Sequence, residues 1–281
     1  MRISATIVTL NEERNIARAI ESLRAADEIV VVDSGSTDRT REIAAGLGAR
    51  VIEERWRGYA AQKNFAAGRA SFDWILSIDA DESVSEELEG EILELKTRTP
   101  DCAGYSMPRL AQYLGRWILH GGWYPDRKIR LYDRTRAEWT GDYVHESVTV
   151  RGRVGRLEGK LLHFTCDSLS EHLRTLDRYT TLAARELIDR GVEIPLRRLA
   201  VDPVWTFIRT WVIRRGFLDG AQGLAIAWMA ALYTFLKYAK ATTGLRLKYV
   251  KGPASPSLKD AKDRPWPDLK DANDKPWRGS R

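Results

Sequence analysis

Three carboxylates fall within four positions of each other, Asp79, Asp81 and Glu82, at the end of the apolar run WILSIDADES (74–83). Alternate side chains of a strand share a face, so Asp79 and Asp81 point the same way if the extended backbone persists. Two carboxylates converging at a sheet edge repel unless a cation joins them. Hard oxygen ligands suit Mg2+ or Mn2+, and Mg2+ is commonly shared between one or two carboxylates and substrate phosphates. D-x-D is a short pattern, and the rival reading is a solvated acidic turn that opens a helix.

Other polar groups stand at equivalent places. Asn11 and Glu12 close the first apolar run in TLNEE, and Asp33 closes the second in VVDSGSTD. Three successive junctions thus carry acids. Acceptor oxygens there suit ribose hydroxyls and a base N–H. The structural alternative is helix capping, with Ser36 or Asp38 at the N-terminus after Asp33 and Glu12 and Glu13 in a first turn. No G-x-G-x-x-G follows the first run, and G-x-x-x-x-G-K-[ST] occurs nowhere. A dinucleotide fingerprint and a P-loop are both unsupported.

These groups need a scaffold that delivers them to one edge. Residues 3–9 form a short β-rich run, and 13–25 place Ile16, Ala19, Ile20 and Leu23 at helical spacing. EIVVVD (28–33) is a continuous apolar run, as a parallel strand buried on both faces requires. A helix to about residue 48, a strand at 49–54, a helix at 58–69 and a strand at 72–79 follow. Ser83 or Ser85 caps the next helix, which runs to about 96. The βαβαβαβ order predicts an open parallel sheet with helices on both faces, and ligands bind such sheets beyond the strands' carboxyl ends. From 103 to 165, short strands (GYSMP, KIRLYD, ESVTVRG, RLEGKLLHF) alternate with aromatic and glycine-rich turns. Ser168 and Glu171 form a capping box. The helix they open ends near Gly191, and two more helices are expected at 200–215 and 219–241.

ISATIVTLNEERNIARAIESL, DEIVVVDSGSTDRTREIA and GYAAQKNFAAGRASFDWILSIDADE resemble family 2 glycosyltransferases, strongly over about residues 1–100. HGGWYPDRKIRLYDR, WTGDYVHESV and the run from PVWTF to KYAK resemble one subgroup, the bacterial lipopolysaccharide-core β-1,4-glucosyltransferases and their relatives. That likeness extends to about residue 245. It implies a GT-A fold, an α/β Rossmann-like mixed sheet with helices on both faces, plus a C-terminal helical membrane-associating region. The expected layout is a catalytic domain at 1–165, split into a nucleotide-sugar half (1–100) and an acceptor half (101–165). A helical region at 166–250 and a disordered tail at 251–281 complete it.

The resemblance also implies a nucleotide-sugar donor (a UDP-sugar, with glucose favoured), a divalent metal (Mg2+ or Mn2+) and inversion at the anomeric carbon. By motif, Asn11, Glu12 and Asp33 fall to the nucleoside, and Lys63 in QKN to a basic position near the nucleotide. Asp79 and Asp81 fall to the metal-diphosphate site, with Asp81 the more direct ligand. His163 in LLHFT is a further metal candidate, with a satisfied core histidine as its alternative. An acceptor hydroxyl needs a base on the far face of the donor sugar. Glu146 in YVHESV is that candidate, with His145 as its partner; the family often has an acidic pair there, so His-Glu leaves the assignment open. Arg127, Lys128 and Arg130 read equally as a phosphate-steering set or an exposed basic strand. Trp117, Trp123, Trp139 and Tyr124 supply aromatic faces for an acceptor sugar or for the core.

Bulk properties bound the remaining choices. The chain has 281 residues, a formal net charge of +6 and a pI near 9.3. Cys102 and Cys166 show no metal or disulfide spacing, which favours a reducing compartment. No apolar run reaches 18 residues, and the N-terminus lacks the pattern of a cleaved signal. Segment 200–251 interleaves aromatic residues with Arg209, Arg214, Arg215, Lys237, Lys240, Arg246, Lys248 and Lys251, which suits an interfacial helix on an anionic leaflet. The expected place is the cytoplasmic face of a bacterial inner membrane, held peripherally. The expected partners are a lipid-linked saccharide acceptor (the lipopolysaccharide core), the membrane surface and, through the same anchor, a homo-oligomer; no nucleic acid is expected. The tail repeats KDAKDRPW (259–266) as KDANDKPW (270–277), too poor in apolar residues to build a core. Two rivals stand beside the transferase: a haloacid-dehalogenase-type phosphatase using Asp79 and Asp81, and a non-catalytic membrane adaptor.

Overall fold

The computed structural model describes residues 1–141 and 146–250, with the backbone alone for 245–250. His145 and the tail repeat lie outside the described residues. The first third of the chain alternates as expected. β1 (Ile3–Thr9), α1 (Ile16–Glu21), β2 (Glu28–Asp33), α2 (Thr40–Gly46), β3 (Arg50–Glu53), α3 (Tyr59–Arg69) and β4 (Trp74–Asp79) succeed one another. Then come β5 (Glu82–Val84), α4 (Glu86–Lys96), β6 (Gly104–Tyr113), β7 (Arg116–Trp117), β8 (Asp126–Asp133), β9 (Ala137–Thr140), β10 (Ser147–Val150), β11 (Val154–Arg156) and β12 (Leu161–Cys166). Three helices follow: α5 (Leu169–Asp189), α6 (Leu196–Ile208) and α7 (Gly220–Val250).

The apolar runs become strands because both faces of the sheet are covered. Ile3, Ala5, Ile7, Val30, Val31, Val32 and Ile75 are fully buried, and each large apolar side chain so placed contributes roughly 1.5–3 kcal/mol. Two of the expected caps form. Ser85 Oγ accepts from the Leu88 amide at 3.3 Å and opens α4, whose first turn carries Glu86, Glu87 and Glu89. Ser168 Oγ accepts from the Glu171 amide at 3.1 Å, and the Glu171 carboxylate accepts from the Asp167 amide at 3.1 Å. α1 is shorter than its apolar spacing suggests, because residues 12–15 are spent in a turn that returns the chain to the sheet edge.

The strand order is β3-β2-β1-β4-β8-β6-β12-β5. β3, β2, β1 and β4 are mutually parallel, and β8 is antiparallel between β4 and β6. β12 runs parallel to β6, and β5 antiparallel to β12. Only Ala80 and Asp81 separate β4 from β5 in the chain, yet β8, β6 and β12 separate them along the sheet. The sheet must therefore curl until its last strand returns to the end of β4. That curl sets His163 opposite Glu82 in the β12–β5 register, beside the 80–81 turn.

β9 and β10 form a separate hairpin pinned to α3. Asn64 donates to the Trp139 carbonyl at 2.8 Å and accepts from its amide at 2.9 Å. After α6, a π-helical turn (Arg209–Ile213) and a 3-10 turn (Gly216–Asp219) reverse the chain into α7, which packs against α5 and α6. A Cβ on Gly223 would stand 2.0 Å from the Gly216 carbonyl oxygen, so this reversal needs glycine.

Candidate active site

Three of the parallel strands, β1, β2 and β4, lead into the predicted polar groups, and the structure shows how each is held. Asn11 takes a left-handed backbone, φ 55°, where short polar side chains are tolerated. Its side-chain oxygen accepts from the Thr37 amide at 2.8 Å, which ties the β1 junction to the β2 junction. Asp33 is fully buried and accepts from the Gly35 and Ser36 amides at 3.0 and 2.8 Å and from the Ser36 hydroxyl. The Ser36 hydroxyl in turn accepts from the Asn11 amide at 2.8 Å. Asp33 thus shapes the rim that Asn11 and Thr37 present. Glu12 accepts from Asn15 Nδ2 at 2.8 Å. Burial pushes its carboxyl up to about 7; Asn15 opposes that rise, and the charges of Asp81 and Asp38 add to it.

Asp79 and Asp81 do not point the same way. Extended geometry stops at Asp79, and the Ala80–Asp81 turn separates the two carboxylates. Asp79 is clasped between two cations, Lys63 Nζ at 2.8 Å and Arg130 Nη2 at 2.8 Å. Burial alone would raise its pKa, but Arg130 and Lys63 outweigh burial and hold it well below the usual carboxylate range. Asp81 turns instead toward β12, where its Oδ2 lies 3.2 Å from His163 Nε2. Burial would lower the His163 pKa; the hydrogen bond and charge of Asp81 overcome this and raise it.

Lys63 is 4% exposed. Its ammonium lies 3.3 Å from Glu146 Oε1 and 4.3 Å from the centre of the Trp139 ring. The QKN motif divides its labour. Gln62 accepts from the Arg57 amide and donates to the Glu54 carbonyl, closing the loop before α3. Lys63 enters the site, and Asn64 pins the hairpin. Because Glu146 immediately precedes β10, the same hairpin carries it to Lys63. Glu146, Lys63 and Asp79 thereby form a continuous charged line.

Sequence reasoning missed the buried part of this site. Glu82 has no exposure and Arg130 only 3%. Glu82 accepts from Arg130 at 2.7 Å, from Arg109 at 3.4 Å and from the Asp79 amide at 3.0 Å. Arg109 also meets Asp126 at 2.7 Å, and Lys128 meets the same carboxylate at 3.1 Å. Of the basic strand residues, Arg130 is a core ion-pair partner, whereas Arg127 donates to the Ser106 and Leu157 carbonyls. The available signal was a charge between the apolar Ile129 and Leu131 in a strand expected to join the sheet. A cavity of about 290 Å3 lies beside this cluster, lined by Arg109, Gly122, Trp123, Asp126, His163 and Thr165. Of the candidate aromatics, Trp123 faces this cavity, Trp139 is buried beneath the cations, and Trp117 stacks edge-on with Phe164.

The edge gathers an aspartate–histidine pair, a carboxylate on a buried lysine and a polar rim. It stands on a curled, mixed sheet of parallel and antiparallel strands. The model of glycosyl transferase family 2 matches residues 4–152, and the chain belongs to that family. It is 35% identical to an uncharacterised glycosyltransferase of Rickettsia typhi over 257 residues, covering 85% of this chain and 86% of that one. It is 34% identical to a lipopolysaccharide core biosynthesis glycosyltransferase of Rhizobium meliloti over 245 residues, 85% and 91% of the two chains. Among solved structures, S. aureus TarS in complex with UDP-GlcNAc aligns over 94% of this chain and 88% of that one, at 17% identity and a TM-score of 0.45. Membership of the family removes the support for the phosphatase and adaptor readings. The clasp on Asp79 also leaves it poorly placed as a phosphatase nucleophile.

Proposed function

We propose that the protein moves a sugar, with inversion, from a nucleotide-diphosphate donor to a hydroxyl of a lipid-linked saccharide. The favoured donor is UDP-glucose and the favoured acceptor the lipopolysaccharide core, and the named Rhizobium relative supports the latter choice. The enzyme works peripherally on the cytoplasmic face of a bacterial inner membrane. One observation carries the reading: Glu146 and the Asp81–His163 pair are joined on one sheet edge through Lys63, Asp79 and Glu82.

In this reading Asn11, Glu12 and the rim held by Asp33 receive the nucleoside. The acceptor sugar occupies the cavity beside Trp123 and Asp126. Glu146 takes the proton of the attacking hydroxyl as that oxygen bonds to the anomeric carbon and the bond to the diphosphate breaks. Lys63 and Arg130 keep positive charge under the leaving group.

Asp81 and His163 fit a divalent cation such as Mn2+ or Mg2+. No group of three or more His, Cys, Asp or Glu able to hold a metal exists among the described residues. That leaves the remaining coordination to diphosphate oxygens and water, as these ions commonly accept. Bound there, the ion would neutralise charge developing on the diphosphate. The test is Asp81→Ala. Transfer from UDP-glucose and the Mn2+-dependent thermal shift with UDP are both expected to vanish while the far-UV spectrum stays unchanged. Undiminished transfer would refute the reading.

A further inference from the structure

α6 shows its apolar stripe to the outside. Val201, Val204, Trp205 and Ile208, continued by Val212 in the π-helical turn, recur at helical spacing, and all five are 41–60% exposed. No residue of α6 is buried. The opposite side faces the protein, where Thr206 meets Thr234 at 3.3 Å and Phe207 stacks on Trp228 at 4.8 Å. A surface helix of a globular protein normally orients the other way. Five arginines fringe the stripe between residues 196 and 219 (Arg197, Arg198, Arg209, Arg214 and Arg215), all exposed, against two aspartates. One of those, Asp219, is buried and consumed by internal bonds.

Those bonds reach the site. The Asp219 carboxylate accepts from the Leu119 and His120 amides at 3.3 and 2.8 Å and lies 3.0 Å from His120 Nδ1. The Gly121 amide donates to the Arg214 carbonyl at 2.9 Å, and a Cβ on Gly122 would strike the Arg214 side chain. Gly122 and Trp123, the next residues, line the cavity beside His163. The HGGWY segment therefore joins the outward stripe to the cavity wall.

We propose that the α6 stripe and its arginine fringe form a docking surface for an anionic lipid bilayer, and that Asp219 holds the cavity wall in register with it. This rests on the reading of the acceptor as lipid-linked. Apolar residues flanked by arginines match an interface of acyl chains below anionic headgroups. A second copy is a poorer occupant, because a two-fold contact would set arginines against arginines. No described helix is long and apolar enough to cross a membrane, so the surface rests on the bilayer.

The full chain should sediment with phosphatidylcholine vesicles containing about 30% phosphatidylglycerol and much less with phosphatidylcholine alone. The double variant Trp205→Ser/Ile208→Ser should bind the anionic vesicles at least about tenfold more weakly. Its thermal shift with UDP and Mn2+ should match that of the parent. Asp219→Asn should keep vesicle binding and raise KM for an embedded acceptor more than it lowers kcat. Equal sedimentation with both vesicles, or a double variant that binds like the parent, overturns the docking surface. A stable dimer that the double variant dissociates, without vesicle binding, assigns the stripe to a second copy instead. An unchanged KM in Asp219→Asn overturns the link to the cavity. Donor binding without vesicle binding rejects this surface and leaves the transferase reading standing. Vesicle binding without donor binding supports the surface and rejects that reading.

Discussion

At the scale of single residues, Glu146 and Glu12 are carboxylates in contrasting surroundings, one beside a buried ammonium and one with its pKa raised by burial. Glu146 sits 3.3 Å from a buried ammonium, just before β10. If it takes the acceptor's proton, Glu146→Gln lowers kcat by about 10²–10⁴-fold and leaves donor affinity nearly unchanged. Steady-state kinetics beside a UDP titration would separate this from a loss confined to donor binding, which would reduce Glu146 to a partner of Lys63. Glu12 is held with a raised pKa of about 7, against an ordinary value of 4.5. The folded protein therefore keeps a proton that the unfolded chain releases between pH 4.5 and 7. Stability supported by that proton is full below about 4.5 and lost as pH rises through 7. Glu12→Gln should thus raise the ligand-free Tm at pH 8 but leave it nearly unchanged at about pH 4, a gain on the order of 2–3 kcal/mol at pH 8. Calorimetry at the two pH values checks the sign.

At the scale of elements, the curl of β4-β8-β6-β12-β5 assembles the site, and the Asp79–Arg130–Glu82–Arg109 cluster lies inside that curl. Removing one partner of a buried ion pair leaves uncompensated charge. Arg130→Met should cost about 3–5 kcal/mol, seen as a lower urea midpoint. Adding Glu82→Leu should recover part of that loss, because Asp79 keeps Lys63 and the buried carboxylate is gone; strictly additive effects would show that the pair is not coupled. This cluster also marks where the sequence stops being legible. β1, β2 and β4 read directly as buried parallel strands, because a short continuous apolar run that ends in a polar or acidic turn suits a strand covered on both faces. β5 did not, since Glu82–Val84 is three residues long and pairs only with a strand some eighty residues on. Asp81 and His163 were separately suspicious as strand-end groups, and both lie at the site. Glu82, Arg109 and Arg130 become partners only once the sheet curls, and no local spacing encodes that curl. α6 was legible as a helix and its composition as interfacial. The direction of its apolar face required knowing that Thr206 and Phe207 face α7. Lys240, one of the basic residues read as interfacial, is instead held by Asp177 of α5 at 2.6 Å.

At the scale of the molecule, the cavity beside His163 and an apolar, arginine-fringed stripe are connected by one short segment, 119–123. If the stripe docks on a membrane as proposed, transfer to an embedded acceptor depends on surroundings that do not touch the reacting atoms. Arginine attraction to an anionic leaflet is screened within a Debye length, about 8 Å at physiological ionic strength and about 3 Å at 1 M salt. The ion pairs within the catalytic edge are buried and screened far less. Raising salt should therefore slow transfer to an acceptor embedded in phosphatidylglycerol vesicles several-fold. Transfer to a detergent-free, delipidated acceptor oligosaccharide should change little over the same range. Measuring initial rates for both acceptors along one salt series tests this. Parallel declines would place the salt-sensitive contact at the donor diphosphate, and flat profiles for both would leave the arginine fringe without an electrostatic role in delivery.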